Sequence, residues 1–109
     1  MNKIILIGRL TRDPEMTVVG TDGKIVAKFT LAVDRQYKNS EGERDTDFIH
    51  VVLWDKKAQV AGQYLTKGSR ISVSGRLQVS TYEDKEGNKR YSTEVIADEF
   101  QFLDSKKVV

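Results

Sequence analysis

The residues best suited to hold a ligand lie in one apolar segment, 48–54, with the sequence FIHVVLW. Side chains alternate along a β-strand, so the odd-numbered positions form an aliphatic face that predicts core packing. The even-numbered positions include Phe48, the only histidine, His50, and the only tryptophan, Trp54. An aromatic face in a chain with a modest basic excess indicates a platform on which flat ligands such as nucleic-acid bases stack.

Two further aromatic side chains lie where the sequence is polar. Tyr37 precedes a charged loop, and Tyr82 stands near the start of a charged hairpin around Gly87, so both are expected to be exposed. For Phe48 and Trp54 the sequence leaves core packing as an equally good interpretation. Together the four could line one continuous groove, in which each stacked base contributes about 1–3 kcal/mol whatever its identity.

Among the charged residues near these aromatics, Arg76 stands out because it falls on the outward face of a predicted strand, where a phosphate backbone could run. The others alternate in sign, which is typical of a solvated surface. His50 is expected to be a hydrogen-bonded structural histidine, with a stacking or phosphate contact as the alternative.

The sequence offers no catalytic or metal-binding arrangement. Metal binding by His50 is not expected, because the sequence has no second histidine and no cysteine to complete a site. Carboxylates at Asp45, Asp47, Asp98 and Glu99 fall in a loop and near a strand end, where solvated charge is a better interpretation than a nuclease metal site. No nucleophile triad or phosphate-cradling glycine loop is present. We therefore predict no enzyme activity, no cofactor and no metal.

Composition limits the chain to one small domain of 109 residues. Lysine and arginine total 18 against 16 acidic residues, a net charge of +2, which argues against a strongly basic binder but allows a local basic stripe. The absence of cysteine fits a reducing compartment. The apolar N-terminal run is too short for a signal peptide, and no segment could span a membrane, so a cytoplasmic protein is expected.

Hydrophobic periodicity predicts five strands and one helix. Asp55 is expected to cap the helix and Gly68 to end it, while Gly8 and Gly75 indicate a bulge or bend. Leu77 and Val79 are expected to face the core. The predicted strands are 4–10, 24–34, 48–54, 71–79 and 91–97, and the predicted helix is 56–67.

A helix between the third and fourth of five strands is the element order of the OB-fold, an all-β five-stranded barrel that binds oligonucleotides or oligosaccharides. The alternative is another small barrel or an open sheet with one helix. We predict that the barrel covers residues 1–104 and that 105–109 form a short tail without structural signal.

The chain also resembles the bacterial single-stranded DNA-binding protein family. The match covers Asn2 to about Leu103, and the segments that carry it are 2–10, 13–15, 29–32, 51–54, Ala61, 64–69, 75–77 and 91–95. The resemblance implies an OB-fold that binds single-stranded DNA and assembles as a homotetramer.

The resemblance also implies roles for particular residues. The stacking positions fall on Tyr37, Phe48, Trp54 and Tyr82. Phosphate-binding positions fall on Lys56, Lys67 and Arg90, whereas Ser80 and Thr81 stand where many members are basic. The first strand pairs across a dimer interface, and its candidate interface residues are Asn2, Lys3, Ile4, Ile5, Leu6 and Ile7.

The predicted function is therefore sequence-independent binding and protection of single-stranded DNA in replication, repair, recombination or DNA uptake. Members of the family typically carry a long acidic-tipped tail that recruits replication enzymes. Without such a tail, recruitment by this chain is not expected. The alternatives are an accessory OB-fold protein of the primosomal type and, third, a small metal-dependent nuclease.

Overall fold

The computed structural model describes residues 1–104, so the predicted tail 105–109 lies outside the described residues. Six strands and one helix follow one another along the chain. They are β1 (Ile4–Leu10), β2 (Glu15–Val19), β3 (Lys24–Lys38), β4 (Arg44–Trp54), α1 (Asp55–Tyr64), β5 (Arg70–Glu83) and β6 (Lys89–Phe102).

Five of the strands close a barrel. The sheet order is β1-β5-β6-β4-β3-β2, and β1 also pairs with β3, which joins the two sides of the sheet. β4 and β6 run parallel, and the other pairs are antiparallel. Among the barrel strands β1, β3, β4, β5 and β6, the helix lies between the third and the fourth. The OB-fold prediction is therefore confirmed.

The sequence did not predict β2. This strand forms a hairpin with β3, in which Met16 pairs with Ala27 and Val18 with Ile25. None of its residues is buried, so it shows no alternation of apolar and polar positions, and pairing with β3 holds it in place.

The barrel interior follows the predicted aliphatic faces. Leu31, Val51, Leu53, Ile71 and Val95 are all fully buried. Ala58 and Ala61 of α1 pack on the same cluster, which closes one end of the barrel.

Leu77 and Val79 were expected in this core, and that expectation is wrong. Their exposed fractions are 39% and 57%, because β5 and β6 continue past the barrel as a two-stranded ribbon, residues 76–94. In this described stretch no residue is buried. Leu77 and Val79 keep the alternation of β5, but the barrel core does not extend far enough to cover them.

Gly75 lies at the bend from which the ribbon leaves the barrel. The pairing of β5 with β6 shifts register between Ser74 and Gly75, as predicted. A Cβ at Gly75 would meet the carbonyl oxygen of Ile96 and lie 2.8 Å from the Cα of Ala97. Gly8 differs, because β1 pairs with β5 in unbroken register through it, so no bulge occurs there.

The helix ends differ from the prediction. Trp54 occupies the N-cap position without a side-chain cap hydrogen bond, and Asp55 is the first helical residue, with a φ of 55°. Asp55 therefore does not cap the helix. The helix stops at Tyr64 rather than near Gly68, and the backbone N–H of Leu65 donates to the Ala61 carbonyl.

Candidate nucleic-acid interface

The outer surface of β5, β6, β4 and β3 carries most of the predicted binding residues. Val51 of β4 pairs with Val95 of β6, and both are buried. Alternation then turns the even-numbered residues of β4 and β6 outward. Tyr82 pairs with Arg90, so it shares the outward face with Phe48 and Trp54.

All four predicted aromatics are exposed. The exposed fractions are 64% for Phe48, 41% for Trp54, 81% for Tyr37 and 54% for Tyr82. The core-packing alternative for Phe48 and Trp54 is therefore wrong. Tyr37 stands apart from the other three, because a register shift between Asp34 and Lys38 interrupts the alternation of β3 and leaves it near the hairpin end.

A cleft of about 640 Å³ opens beside Phe48. His50 lies in it, and its Nδ1 is 3.2 Å from the hydroxyl oxygen of Thr30. His50 is thus hydrogen-bonded, as expected, yet it is exposed rather than a core histidine. The cleft is lined by Thr11, Arg12, Asp13, Glu15, Lys28, Phe29, Thr30, Phe48, His50, Val51 and Glu94.

The four predicted phosphate-binding residues are exposed but dispersed. Lys56 lies in the first turn of α1, two residues after Trp54. The backbone N–H of Lys67 donates to Oδ1 of Asp13 over 2.7 Å, which places Lys67 beside the cleft. Arg76 and Arg90 share the outward face with Tyr82, and Nη1 of Arg76 donates to Oε1 of Gln78 over 2.9 Å. None of the four lines the cleft beside Phe48.

Two arginines are held by carboxylates near the hairpin ends. Arg35 donates through Nε and Nη2 to Asp47 over distances of 3.1–3.4 Å, and its Nη1 lies 3.8 Å from Asp45. The hydrogen bond and the charge of Asp47, together with the charge of Asp45, raise the pKa of Arg35. The hydrogen bond from Arg35 lowers the pKa of the Asp47 carboxyl.

Arg90 forms the second pair. Its Nε donates to Oδ2 of Asp84 over 2.9 Å. This hydrogen bond, supported by the backbone N–H groups of Asn88 and Glu86, lowers the pKa of Asp84. Some of the carboxylates that were expected to be solvated, Asp47 among them, are therefore paired with an arginine.

Sequence reasoning missed Arg12 and Lys28 as cleft residues. Lys28 of β3 pairs with Val52 of β4, two residues after His50. The alternation of β3 therefore places Lys28 on the same outward face as His50, and this pattern could have identified it. Arg12 lies in the connection between β1 and β2. Hydrophobic periodicity does not predict where such a connection lies in the fold.

Within residues 1–104, no group of three or more histidine, cysteine or acidic residues is placed to hold a metal ion. Asp98, one of the carboxylates considered for that role, accepts a hydrogen bond from Ser74 Oγ over 3.1 Å. No helix in this described part has the length and hydropathy needed to cross a membrane.

The predicted interface residues of β1 divide between two faces. Ile4 and Leu6 are partly buried against the core, whereas Ile5 and Ile7 are 67% and 49% exposed. Asn2 uses its side chain to extend the pairing of β1, since Nδ2 donates to the Leu77 carbonyl and Oδ1 accepts from its N–H. Lys3 is exposed.

Comparison with known proteins gives a consistent family assignment. The sequence profile described as Single-strand binding protein family matches residues 1–103. "Single-stranded DNA-binding protein 1" of Clostridium acetobutylicum is 49% identical over 107 residues, 98% of this chain and 97% of that protein. "Single-stranded DNA-binding protein 1" of Staphylococcus aureus (strain Mu50) is 52% identical over 106 residues, 97% of this chain and 67% of the relative.

These matches extend over nearly the whole described barrel. They confirm the predicted resemblance and, with it, the prediction of a binding protein rather than an enzyme. On this evidence the chain belongs to the single-strand binding protein family.

Proposed function

We propose that this chain binds single-stranded DNA without sequence preference, by stacking bases on Tyr37, Phe48, Trp54 and Tyr82. The observation that carries the proposal is the exposure of Phe48, Trp54 and Tyr82 on one continuous outward face. Large aromatics on a surface strand contribute little to the core, whereas every base offers a flat π-face to them. The names of relatives at about 50% identity support the same ligand.

Basic side chains supply the second half of the mechanism. Lys56, Lys67, Arg76 and Arg90 contact phosphates in this proposal, and each contact releases a condensed counterion. The logarithm of the binding constant should therefore fall with the logarithm of salt concentration, by about 0.7 for each phosphate neutralised on a single strand. Because the net charge is only +2, we expect base stacking to contribute a large share of the binding free energy.

The biological setting belongs to the same proposal. Bacterial relatives named for single-stranded DNA binding support a role in coating strands exposed in replication, repair, recombination or DNA uptake, in the cytoplasm. The exposed Ile5 and Ile7 of β1 support assembly as a homotetramer through that strand, because adjacent apolar side chains on a sheet surface favour burial.

The test is a titration of intrinsic fluorescence with oligo-dT at low and high salt, with duplex DNA as the control. Trp54 is the only tryptophan and is 41% exposed, so it reports on the proposed surface. We expect strong quenching by the single strand, weaker binding at high salt and little response to the duplex. Quenching by neither DNA, or equal quenching by both, would contradict the proposal.

A further inference from the structure

The two hairpins that carry the proposed stacking tyrosines share one arrangement. The β5–β6 hairpin holds Tyr82, and the β3–β4 hairpin holds Tyr37. Each also presents an arginine that is bound by a carboxylate of the same hairpin. Arg90 is paired with Asp84, and Arg35 is paired with Asp47. Of the two arginines, Arg90 lies on the outward face, directly across from Tyr82.

Asp84 is fixed in place by the hairpin turn. Its Oδ1 accepts the backbone N–H groups of Glu86 over 3.0 Å and of Asn88 over 2.8 Å. Its Oδ2 accepts from Nε of Arg90 over 2.9 Å. The Asp84 side chain is 23% exposed and that of Arg90 57%. One oxygen therefore serves the turn, while the other faces the arginine.

Arg90 lies next to the position where a stacked nucleotide would sit. Its cross-strand partner is Tyr82, and directly paired residues have Cβ atoms about 4.5–5.5 Å apart on the same face. A base stacked on Tyr82 brings its phosphate within reach of the guanidinium. That phosphate and the Asp84 carboxylate are both anions that seek the same donors.

We propose that Asp84 is an affinity-limiting residue, which competes with DNA phosphates for Arg90. This inference rests on the proposed function. Arg35 is not part of this competition, because its partners Asp45 and Asp47 are odd-numbered positions of β4, which share the face of the buried Val51. At Arg90 an arriving phosphate either displaces the carboxylate or binds against its charge. Both routes weaken binding of the single strand.

The experiment compares Asp84→Asn with wild type by oligo-dT titration over a range of salt. Asparagine keeps an Oδ1 acceptor for the turn and removes the charge that faces Arg90. An exposed ion pair is weak, so we expect binding to tighten by only about two- to five-fold. The salt dependence should steepen by about 0.7 for each phosphate gained.

Two further variants separate direct competition from a general effect of charge. Glu86→Gln removes one charge from the same hairpin, and its side chain forms no ion pair within residues 1–104. We expect it to change affinity less than Asp84→Asn. In an Arg90→Gln background, Asp84→Asn should lose most of its effect, because the contested arginine is gone.

Several outcomes would overturn the inference. They are an equal gain from Glu86→Gln, a gain from Asp84→Asn that survives in Arg90→Gln, and weaker binding by a folded Asp84→Asn. If Asp84→Asn does not fold, as judged by circular dichroism, Asp84→Ser, which also removes the charge and keeps an acceptor oxygen, makes the same comparison with and without Arg90→Gln. Wild-type protein that binds no oligo-dT would contradict the proposed function itself, a result distinct from normal binding with no response to the carboxylates.

Discussion

Removing an aromatic ring from the outward face of β4 should weaken DNA binding and leave the barrel folded. Phe48 and Trp54 are exposed, so truncation opens no cavity, while each lost stack reduces affinity by about 1–3 kcal/mol. We expect this loss for Phe48→Ala and for Trp54→Ala, measured by fluorescence anisotropy of labelled oligo-dT because Trp54→Ala has no tryptophan signal.

Tyr64 provides the matched control for these variants. It is an aromatic side chain with a similar exposure of 58%, but it lies at the end of α1 beside Phe100 and Phe102, away from the proposed surface. Tyr64→Ala should bind as wild type does. A loss in Tyr64→Ala equal to that in Phe48→Ala would show that the ring truncations act indirectly.

The carboxyl groups of Asp47 and Asp84 should titrate below the ordinary aspartate value of 3.8, because arginine hydrogen bonds favour their charged forms. Their stabilisation of the folded hairpins is present above pH 3.8 and is lost as the pH falls through the lowered pKa values. Carbon-detected NMR of the side-chain carboxyls measures this directly. In Arg90→Gln the midpoint of Asp84 should rise towards 3.8, and an unchanged midpoint would show that Arg90 is not the cause.

At the residue scale the sequence predicted that Tyr37 and Tyr82 are exposed, which the structure confirms, but it left the environment of Phe48 and Trp54 open. The alternation of 48–54 placed Phe48 and Trp54 on one face. It could not show whether that face is buried or exposed to solvent, because this depends on which other elements pack on it. The arginine–carboxylate pairs depend on the register of two hairpins, which residue spacing alone does not give.

At the element scale, Gly75→Ala should destabilise the protein, although alanine is ordinarily better than glycine in a strand by about 0.5–1 kcal/mol. The added Cβ meets backbone atoms of Ile96 and Ala97, which cannot rotate away, so β5 and β6 must separate. We expect a loss of about 1–3 kcal/mol, the usual range for overpacking, measured as the urea dependence of unfolding.

Gly87→Asn is the comparison for that variant. Gly87 has a positive φ of 79°, and a Cβ there would meet nothing within 4 Å; asparagine tolerates this backbone conformation better than most residues. Gly87→Asn should therefore lower the free energy of unfolding far less than Gly75→Ala does. Stabilisation by Gly75→Ala would mean that the strands adapt to the added Cβ.

The elements that the sequence predicted well are those that bury a regular face. β1, β3, β4 and α1 contribute Leu10, Leu31, Leu53 and Ala61 to one cluster, and their periodicity follows from that burial. β2 and the outer half of β5 bury nothing comparable. Both segments are held in place by pairing with a neighbouring strand rather than by burial. Hydrophobic periodicity therefore did not predict β2 and wrongly placed Leu77 and Val79 in the core.

At the scale of the whole molecule, assembly through β1 predicts that a charge at Ile5 breaks the proposed homotetramer. Ile5→Glu should leave the fold intact, because the side chain is 67% exposed, and should lower the mass measured by light scattering. Val18→Glu introduces the same charge at a 66% exposed site on β2, and it should not change the mass. An unchanged mass for Ile5→Glu would place the subunit contact elsewhere.

The ribbon of residues 76–94 has a further consequence for how binding energy is used. A two-stranded ribbon without buried residues is only marginally stable and should open locally while the barrel stays closed. Its backbone amides should then exchange hydrogen with solvent much faster than those of Val51 and Val95, and bound single-stranded DNA should slow that exchange. If Tyr82 stacks on a base as proposed, part of the binding free energy must order the strand that presents it, so binding should weaken on warming more steeply than it would on a rigid surface.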